Sequence, residues 1–162
     1  MRKLLVLLVL VLALPAAAFS QPRAASNGTL SIQEGRGVVH LDARGSMTGR
    51  VNGKLTVTDL RPFDAKRPVV YGSRKTVYRN ARTTVYQGKN VRFRLGGARF
   101  VIRMEGKAIF LSAIARGTGT LDGAGNPEDN VFFDGSWSLN DEPYHSLPDD
   151  PTPIELVAPT TG

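Results

Sequence analysis

The sequence predicts an all-β protein, folded as a single antiparallel β-sandwich or small β-barrel of about eight to ten short strands behind a signal peptide. Apolar and polar residues alternate strictly over residues 91–95, with arginine at every second position, and Phe100, Ile102 and Met104 again recur at every second position in the next run. Such alternation is typical of strands with one buried and one solvated face. The 17 glycines and 10 prolines supply frequent turns. No long segment keeps the 3.6-residue period of an amphipathic helix.

The first 20 residues have the layout of a secretory signal peptide. Arg2 and Lys3 precede an apolar run, Pro15 interrupts it, and the small residues 16–18 suit a signal peptidase. A permanent membrane anchor is the alternative, but the apolar stretch is shorter than the roughly 20 residues of a bilayer span. We therefore expect a secreted or cell-envelope-associated protein with no transmembrane span after cleavage. Residues 21–28 are predicted to be a mobile lead-in.

The predicted β-domain covers residues 29–140. Its first strands are expected over residues 38–43, 47–51 and 54–58. Asn52-Gly53 separates the last two runs, and this dipeptide favours a tight two-residue hairpin. These strands are therefore predicted to be neighbours in the sheet.

The remaining strands are predicted over residues 91–95, 99–104, 108–115 and 131–139. Gly96-Gly97 and Gly106-Lys107 separate the first three runs and predict a hairpin at each position. Residues 108–115 are apolar on both faces, which indicates a central strand. The apolar positions predict a core of Leu41, Val57, Phe93, Leu95, Phe100, Ile102, Ile109, Leu111, Phe132 and Trp137.

Residues 141–162 are predicted to form an acidic, proline-rich and disordered tail. Five prolines lie in this stretch. Its apolar patch, residues 154–157, either adds an edge strand or remains free.

Charge is segregated along the chain. Residues 36–116 contain 18 Lys or Arg and four acids, whereas residues 117–162 contain nine acids and no Lys or Arg. Such segregation bears on partners rather than on fold. Either the basic part meets an external polyanion, or the acidic end folds back and screens it. A charged surface that serves solubility alone is the third interpretation.

The arginine rows are the most specific candidate site. Arginine forks match phosphate and carboxylate groups bidentately, so one sheet face could bind an anionic envelope polymer or lipid headgroups. We expect the tyrosines and phenylalanines to be buried, and export argues against nucleic acid as the natural partner. The alternative is a soluble strand face that avoids edge aggregation. The predicted polyanion-binding residues are Lys89, Arg92, Arg94, Arg99, Arg103 and Lys107.

Two further clusters contain groups that can carry chemistry. His40 and Asp42 alternate on one strand and share a face, which suits an oriented general base, and Ser46 is near in sequence. The glycine-rich stretch after residue 121 is rich in the oxygen ligands that calcium prefers, although a polar turn is the alternative. The calcium candidates are Asp122, Asn126, Glu128 and Asp129.

The leading hypothesis is an exported, non-enzymatic β-domain that associates electrostatically with an anionic cell-envelope polymer or lipid surface, without a cofactor. A secreted carrier of small apolar ligands, with a β-barrel cavity, is the first alternative. A hydrolase that uses His40 and Asp42 is the second. Cysteine is absent from the sequence, which excludes disulfides, zinc–thiolate sites and thiol catalysis.

Overall fold

The computed structural model describes residues 26–125 and 133–159, so the predicted signal peptide lies outside the described residues. The described chain is entirely β-structure, turns and connections, and none of it is a helix long and apolar enough to cross a membrane. All strand pairs are antiparallel. The strands are β1 (Gly28–Asp59), β2 (Val69–Tyr71), β3 (Lys75–Tyr78), β4 (Thr83–Gly123), β5 (Ser136–Leu139), β6 (His145–Ser146) and β7 (Thr152–Leu156). The prediction of an antiparallel all-β fold is confirmed.

Two very long strands, β1 with 32 residues and β4 with 41, form most of the sheet. Each pairs with the other along both of its edges. Leu41 of β1, for example, lies opposite Ile102 on one side and opposite Gly119 on the other. β1 and β4 therefore form one long two-stranded antiparallel ribbon. The ribbon coils, and each coil pairs along its edge with the next coil.

The ribbon bends at regular intervals, and the bends divide the long strands into shorter segments. In β1 the segments are β1a (28–33), β1b (37–44), β1c (46–51) and β1d (53–59). In β4 they are β4a (83–88), β4b (91–95), β4c (98–106), β4d (109–115) and β4e (117–123).

Pairing sorts these segments into two layers, and consecutive segments of one strand alternate between the layers. Layer 1 has the order β3, β4a, β1d, β4c, β1b, β4e, β7. Layer 2 has the order β2, β4b, β1c, β4d, β1a, β5, β6. Strands that switch layers at a bend are a known way to build the corner of a sandwich. Among the described residues the sheet does not close on itself, which favours the sandwich over the barrel.

A row of glycines lies along one corner of the sandwich. Directly opposed residues across successive strands are Gly88, Gly53, Gly106, Gly37 and Gly123, and this set is called the glycine seam below. Gly53 has a φ of 156°, and a Cβ added there would lie 2.1 Å from the carbonyl oxygen of Glu105. Only glycine lets the neighbouring backbones approach this closely.

The predicted hairpins at Asn52-Gly53, Gly96-Gly97 and Gly106-Lys107 are wrong, because the strand continues through all three positions. A hairpin would require the segments on both sides of the turn to pair with each other. Segments β1c and β1d instead each have two partners on β4 already. The glycines at these positions therefore bend a strand from one layer into the other.

A single hydrophobic cluster joins the two layers. Eight of the predicted core residues are no more than 3% exposed, Trp137 is half-buried, and Phe132 lies outside the described residues. Large side chains that are less than 2% exposed, including Phe100, Met47 and Met104, fill the space between the layers. Packing of this kind supplies the main driving force for folding.

The prediction of a disordered tail is wrong for the part of it that forms strands. β6 pairs with β5, and β7 pairs with β4e. Ile154 and Leu156 alternate with polar neighbours and are only 8% and 0% exposed, so the strand is held by burial of its apolar face. The β-domain therefore extends to Leu156 rather than ending at residue 140.

The acidic segment lies far from the most basic part of the sheet. β7 borders layer 1 and β6 borders layer 2, at the ends opposite to β3 and β2. The described part of the segment therefore does not fold back over the strands that carry Arg92 and Arg94.

We expect Gly53→Ala to destabilise the protein by about 2 kcal/mol or more, because the new methyl group would overlap the backbone of β4. The measurement is the free energy of unfolding in urea. Gly96→Ala is the matched control, since a Cβ at residue 96 meets nothing within 4 Å. Equal stability of the two variants would contradict the role of the glycine seam.

Leu156→Ala should cost about 2–5 kcal/mol of unfolding free energy, the usual range for a fully buried leucine. Ile114→Ala removes the same number of carbons from a side chain that is 56% exposed, and should cost much less. Urea titration of both variants tests whether β7 belongs to the folded domain. An unchanged stability of the Leu156→Ala variant would mean that the C-terminal segment is free in solution.

Candidate functional site

The edge of the sheet formed by β2, β3 and the segments next to them concentrates positive charge. Residues 61–94, called the β2–β3 edge below, carry ten Lys or Arg and a single acid, Asp64. All ten cationic side chains are exposed. Three of the six predicted polyanion-binding residues, Lys89, Arg92 and Arg94, lie in this stretch.

The β2–β3 edge is also where most large apolar side chains reach solvent. Five of the seven large hydrophobic residues that are exposed in the described part of the chain lie there: Phe63 (94%), Val69 (42%), Tyr71 (61%), Val77 (42%) and Tyr78 (77%). The expectation that the tyrosines and phenylalanines are buried is wrong for this edge. The physical reason is that β2 and β3 are short edge strands, with one side of the ladder unpaired and little sheet to cover them.

A row of two arginines flanked by two aromatic residues crosses layer 2 from this edge. Tyr71 lies opposite Arg92, Arg92 opposite Arg50, and Arg50 opposite Phe110. Opposed residues of an antiparallel pair project to the same side. The Arg50 guanidinium lies 3.9 Å from the centre of the Phe110 ring, a cation–π contact that holds it in place. These four residues are called the arginine–aromatic row.

A surface concavity of about 480 Å³ adjoins the row, and Arg50, Arg92 and Phe110 contribute to its wall. Arg94 continues the positive charge on the same face, where it lies opposite Thr48. Lys107 lies near the other end of the row and shares a second concavity, of about 340 Å³, with Arg36 and Arg50. Arg92, Arg94 and Lys107 are thus brought together around Arg50.

Arg99 and Arg103 are placed elsewhere. They belong to β4c in layer 1, because the strand changes layer at the Gly96-Gly97 bend. The predicted single face that carries all of the arginines is therefore wrong. Arg92 and Arg94 project from layer 2, whereas Arg99 and Arg103 project from layer 1.

Both Arg99 and Arg103 form ion pairs with carboxylates. Arg99 donates two hydrogen bonds of 2.7 Å to the two oxygens of Asp42. Arg103 and Lys54 both form ion pairs with Glu105. The hydrogen bond from Arg99 lowers the pKa of Asp42, and the hydrogen bonds from Lys54 and then Arg103 lower the pKa of Glu105. Much of the positive charge of these arginines is thereby offset within the protein.

The proposed hydrolytic group is not assembled. His40 and Asp42 share a face of layer 1 as predicted, but the Asp42 carboxylate is held at both oxygens by Arg99. Ser46 lies beyond the Gly45 bend, opposite Ile114 in layer 2. A nucleophile in one layer and a base in the other do not form the hydrogen-bonded pair that nucleophilic catalysis needs.

The calcium candidates Asn126, Glu128 and Asp129 lie outside the described residues, and Asp122 lies at the end of β4e. Asp134 follows this stretch, is 1% exposed, and accepts no hydrogen bond at its side chain from the described residues. Within residues 26–125 and 133–159, no group of three potential metal ligands comes together. The described part of the chain does not provide a calcium site by itself.

Several residues of the candidate site were not anticipated from the sequence. Arg50 and Phe110 lie far apart along the chain and meet only because β1c pairs with β4d. Tyr71 reaches the row through β2, within the loosely patterned stretch after residue 60. Arg50 lies on the polar face of a predicted strand, but the sequence does not show which strand is its neighbour.

Comparisons with models of known protein families, with curated proteins and with solved structures found no match.

The ion pairs of Glu105 make a pH-dependent contribution to stability. A carboxyl whose pKa is lowered by folding stabilises the protein above its unfolded-state pKa and loses that contribution as the pH falls through the folded-state value. Wild-type protein should therefore lose more stability than Glu105→Gln as the pH falls below about 4.5. At neutral pH the variant should be less stable by at most about 1 kcal/mol, because the pair is partly solvated.

Urea titrations at a series of pH values measure this difference. Asp149→Asn is the control, since Asp149 is exposed and forms no ion pair with the described residues. If Glu105→Gln and wild type show the same dependence on acid, the assignment of the ion pairs is contradicted.

Proposed function

We propose that the protein is an exported, non-enzymatic β-sandwich that attaches to an anionic surface of the cell envelope through the β2–β3 edge. The observation that carries this proposal is the coincidence of ten exposed cations and five exposed large apolar side chains on one edge of the sheet. Exposed cations alone would be explained by solubility, and exposed apolar side chains alone by the short edge strands. The overlap of the two sets on one edge favours a partner surface that carries negative charge above an apolar layer.

A lipid headgroup layer fits this combination better than a soluble polymer does. Lys and Arg near an anionic leaflet each contribute about 1 kcal/mol of attraction. Aromatic side chains settle at the headgroup level, where one end of the ring is apolar and the other is hydrated. Phe63, Tyr71 and Tyr78 are suited to that position because they already project into solvent.

The arginine–aromatic row supports the same function from layer 2. Arginine forks bind phosphate bidentately, and Arg50 is pre-oriented by its contact with Phe110. A pre-oriented side chain loses less conformational entropy when it binds. An anionic polymer such as an acidic polysaccharide or a teichoic-type chain would use the arginines but leave Phe63 and Tyr78 without a role.

The alternative of a carrier for small apolar ligands has less support. Carriers enclose their ligand in an interior cavity, whereas the concavities described above are bordered by exposed side chains such as Arg50 and Arg92. The centre of the sandwich is occupied by fully buried side chains.

Arg92→Ser/Arg94→Ser should reduce affinity for vesicles that contain phosphatidylglycerol by roughly tenfold or more, because two attractive charges are removed from the docking edge. Co-sedimentation at low and at physiological ionic strength is the measurement. Arg99→Ser/Arg103→Ser is the matched control. It removes two exposed arginines from the same strand, but these two are already paired with Asp42 and Glu105.

A third variant tests the apolar contribution. Phe63→Ser/Tyr78→Ser should weaken vesicle binding and leave its dependence on salt unchanged, since no charge is altered. Equal losses in the two arginine double variants would contradict the assignment of the edge. Retention on a polyphosphate resin without binding to vesicles would show that the partner is a polymer and that the lipid assignment is wrong.

A further inference from the structure

A second cluster of arginines lies at the corner opposite to the glycine seam. Arg44, at the end of β1b, lies directly opposite Arg99 of β4c on one side and directly opposite Arg116 on the other. Three guanidinium groups therefore stand in one cross-strand row, and all three side chains are exposed. This set is called the corner row.

Like charges directly opposed across strands destabilise a sheet. Cβ atoms of opposed residues are about 4.5–5.5 Å apart, so the arginine side chains must spread or share a counter-charge. Within the described part of the chain, Asp42 is the carboxylate that pairs with this row, and it pairs with Arg99 alone. Arg44 and Arg116 form no ion pair with the described residues.

The corner holds the three arginines firmly in this register. A Cβ at Gly45 would lie 2.3 Å from the carbonyl oxygen of Ile114, and one at Gly117 would lie 2.1 Å from that of Asp42. The backbones next to Arg44 and Arg116 therefore approach their neighbours too closely to slide. The unfavourable register is built into the fold rather than being a flexible surface arrangement.

The corner row borders a concavity of about 660 Å³. Asn27 and Thr118 contribute polar groups to its wall, beside Asp42. A smaller concavity, of about 390 Å³, lies on the other side of Arg44 and Arg99 and adds Arg61, Lys66 and Asp64. Cations outnumber carboxylates around both spaces.

We propose that the corner row is a binding site for a phosphate dianion, either free phosphate or a phosphate monoester. Three arginines and one carboxylate leave two positive charges, which a dianion neutralises. Its tetrahedral oxygens accept hydrogen bonds from several guanidinium forks at once. The three arginines of the corner row lie outside the β2–β3 edge, and binding of the dianion to them does not depend on attachment to a membrane.

Thermal unfolding tests the proposal. At about 10 mM, where general exclusion effects of such anions are small, phosphate should raise the melting temperature of wild-type protein by about 3 °C or more over chloride at equal ionic strength. Arg44→Gln and Arg116→Gln should abolish this rise. In chloride alone the same variants should melt at or above the wild-type temperature, because a repulsive charge has been removed.

Arg94→Gln is the matched control, since Arg94 is an exposed arginine on the same long strand but lies opposite Thr48. It should retain the phosphate-dependent rise in melting temperature and bind vesicles more weakly than wild type, which separates this site from the membrane edge. A parallel measurement with glycerol 3-phosphate identifies the preferred anion. A larger rise in melting temperature than with inorganic phosphate would identify a phosphate monoester as the ligand, and a smaller rise would identify free phosphate.

No rise with either anion in the wild-type protein would overturn the proposal. An equal rise in wild type and in the Arg44→Gln variant would overturn it as well, because the stabilisation would then arise elsewhere. Loss of the rise in Arg94→Gln would identify general electrostatic screening and would also refute a specific site.

Discussion

The glycine seam is the constraint on which the rest of this structure depends. β1 and β4 pair along both of their edges, which requires the ribbon to bend sharply wherever it passes from one layer to the other. At Gly53 and Gly106 the opposed backbones come so close that a side chain on either would overlap its neighbour. The sandwich therefore assembles around contacts between residues far apart in the sequence, a topology that folds slowly because distant segments must meet first.

The same bends decide which charged side chains become neighbours. Arg92 and Arg94 are separated from Arg99 by a few residues, yet the change of layer at Gly96-Gly97 directs them to different faces. Arg92 and Arg94 then lie on the same face as Arg50, near the exposed aromatic residues. Arg99 instead meets Asp42 and the corner row. Two arginine clusters with different chemistry thus arise from one short, continuous stretch of sequence.

Alternation of apolar and polar residues was sufficient to predict the central segments β1b, β1c, β1d, β4b, β4c and β4d and eight residues of the core, because burial depends on a period that each strand carries in its own sequence. The hairpins could not be predicted correctly. Asn52-Gly53 suits a tight turn and a layer-switching bend equally well, since both use the conformational freedom of glycine. Whether Asn52-Gly53 forms a turn or a bend depends on which strand pairs with the residues on each side of it. β7 was predicted only as one of two alternatives for residues 154–157, because prolines and acids surround Ile154 and Leu156, whose alternation was the informative feature.

Separation of charge across the sheet explains how an acidic segment and a basic edge coexist in one domain. Seven strands at about 4.8 Å spacing place the two edges of a layer about 29 Å apart, whereas charges are screened over about 8 Å at physiological ionic strength. Carboxylates near β7 therefore have little influence on the potential at Arg92 or Tyr71. In the proposed attachment, the cationic edge would face the anionic surface and the opposite edge would be repelled by it, which would orient the sandwich with β2 and β3 toward the surface and β7 away from it.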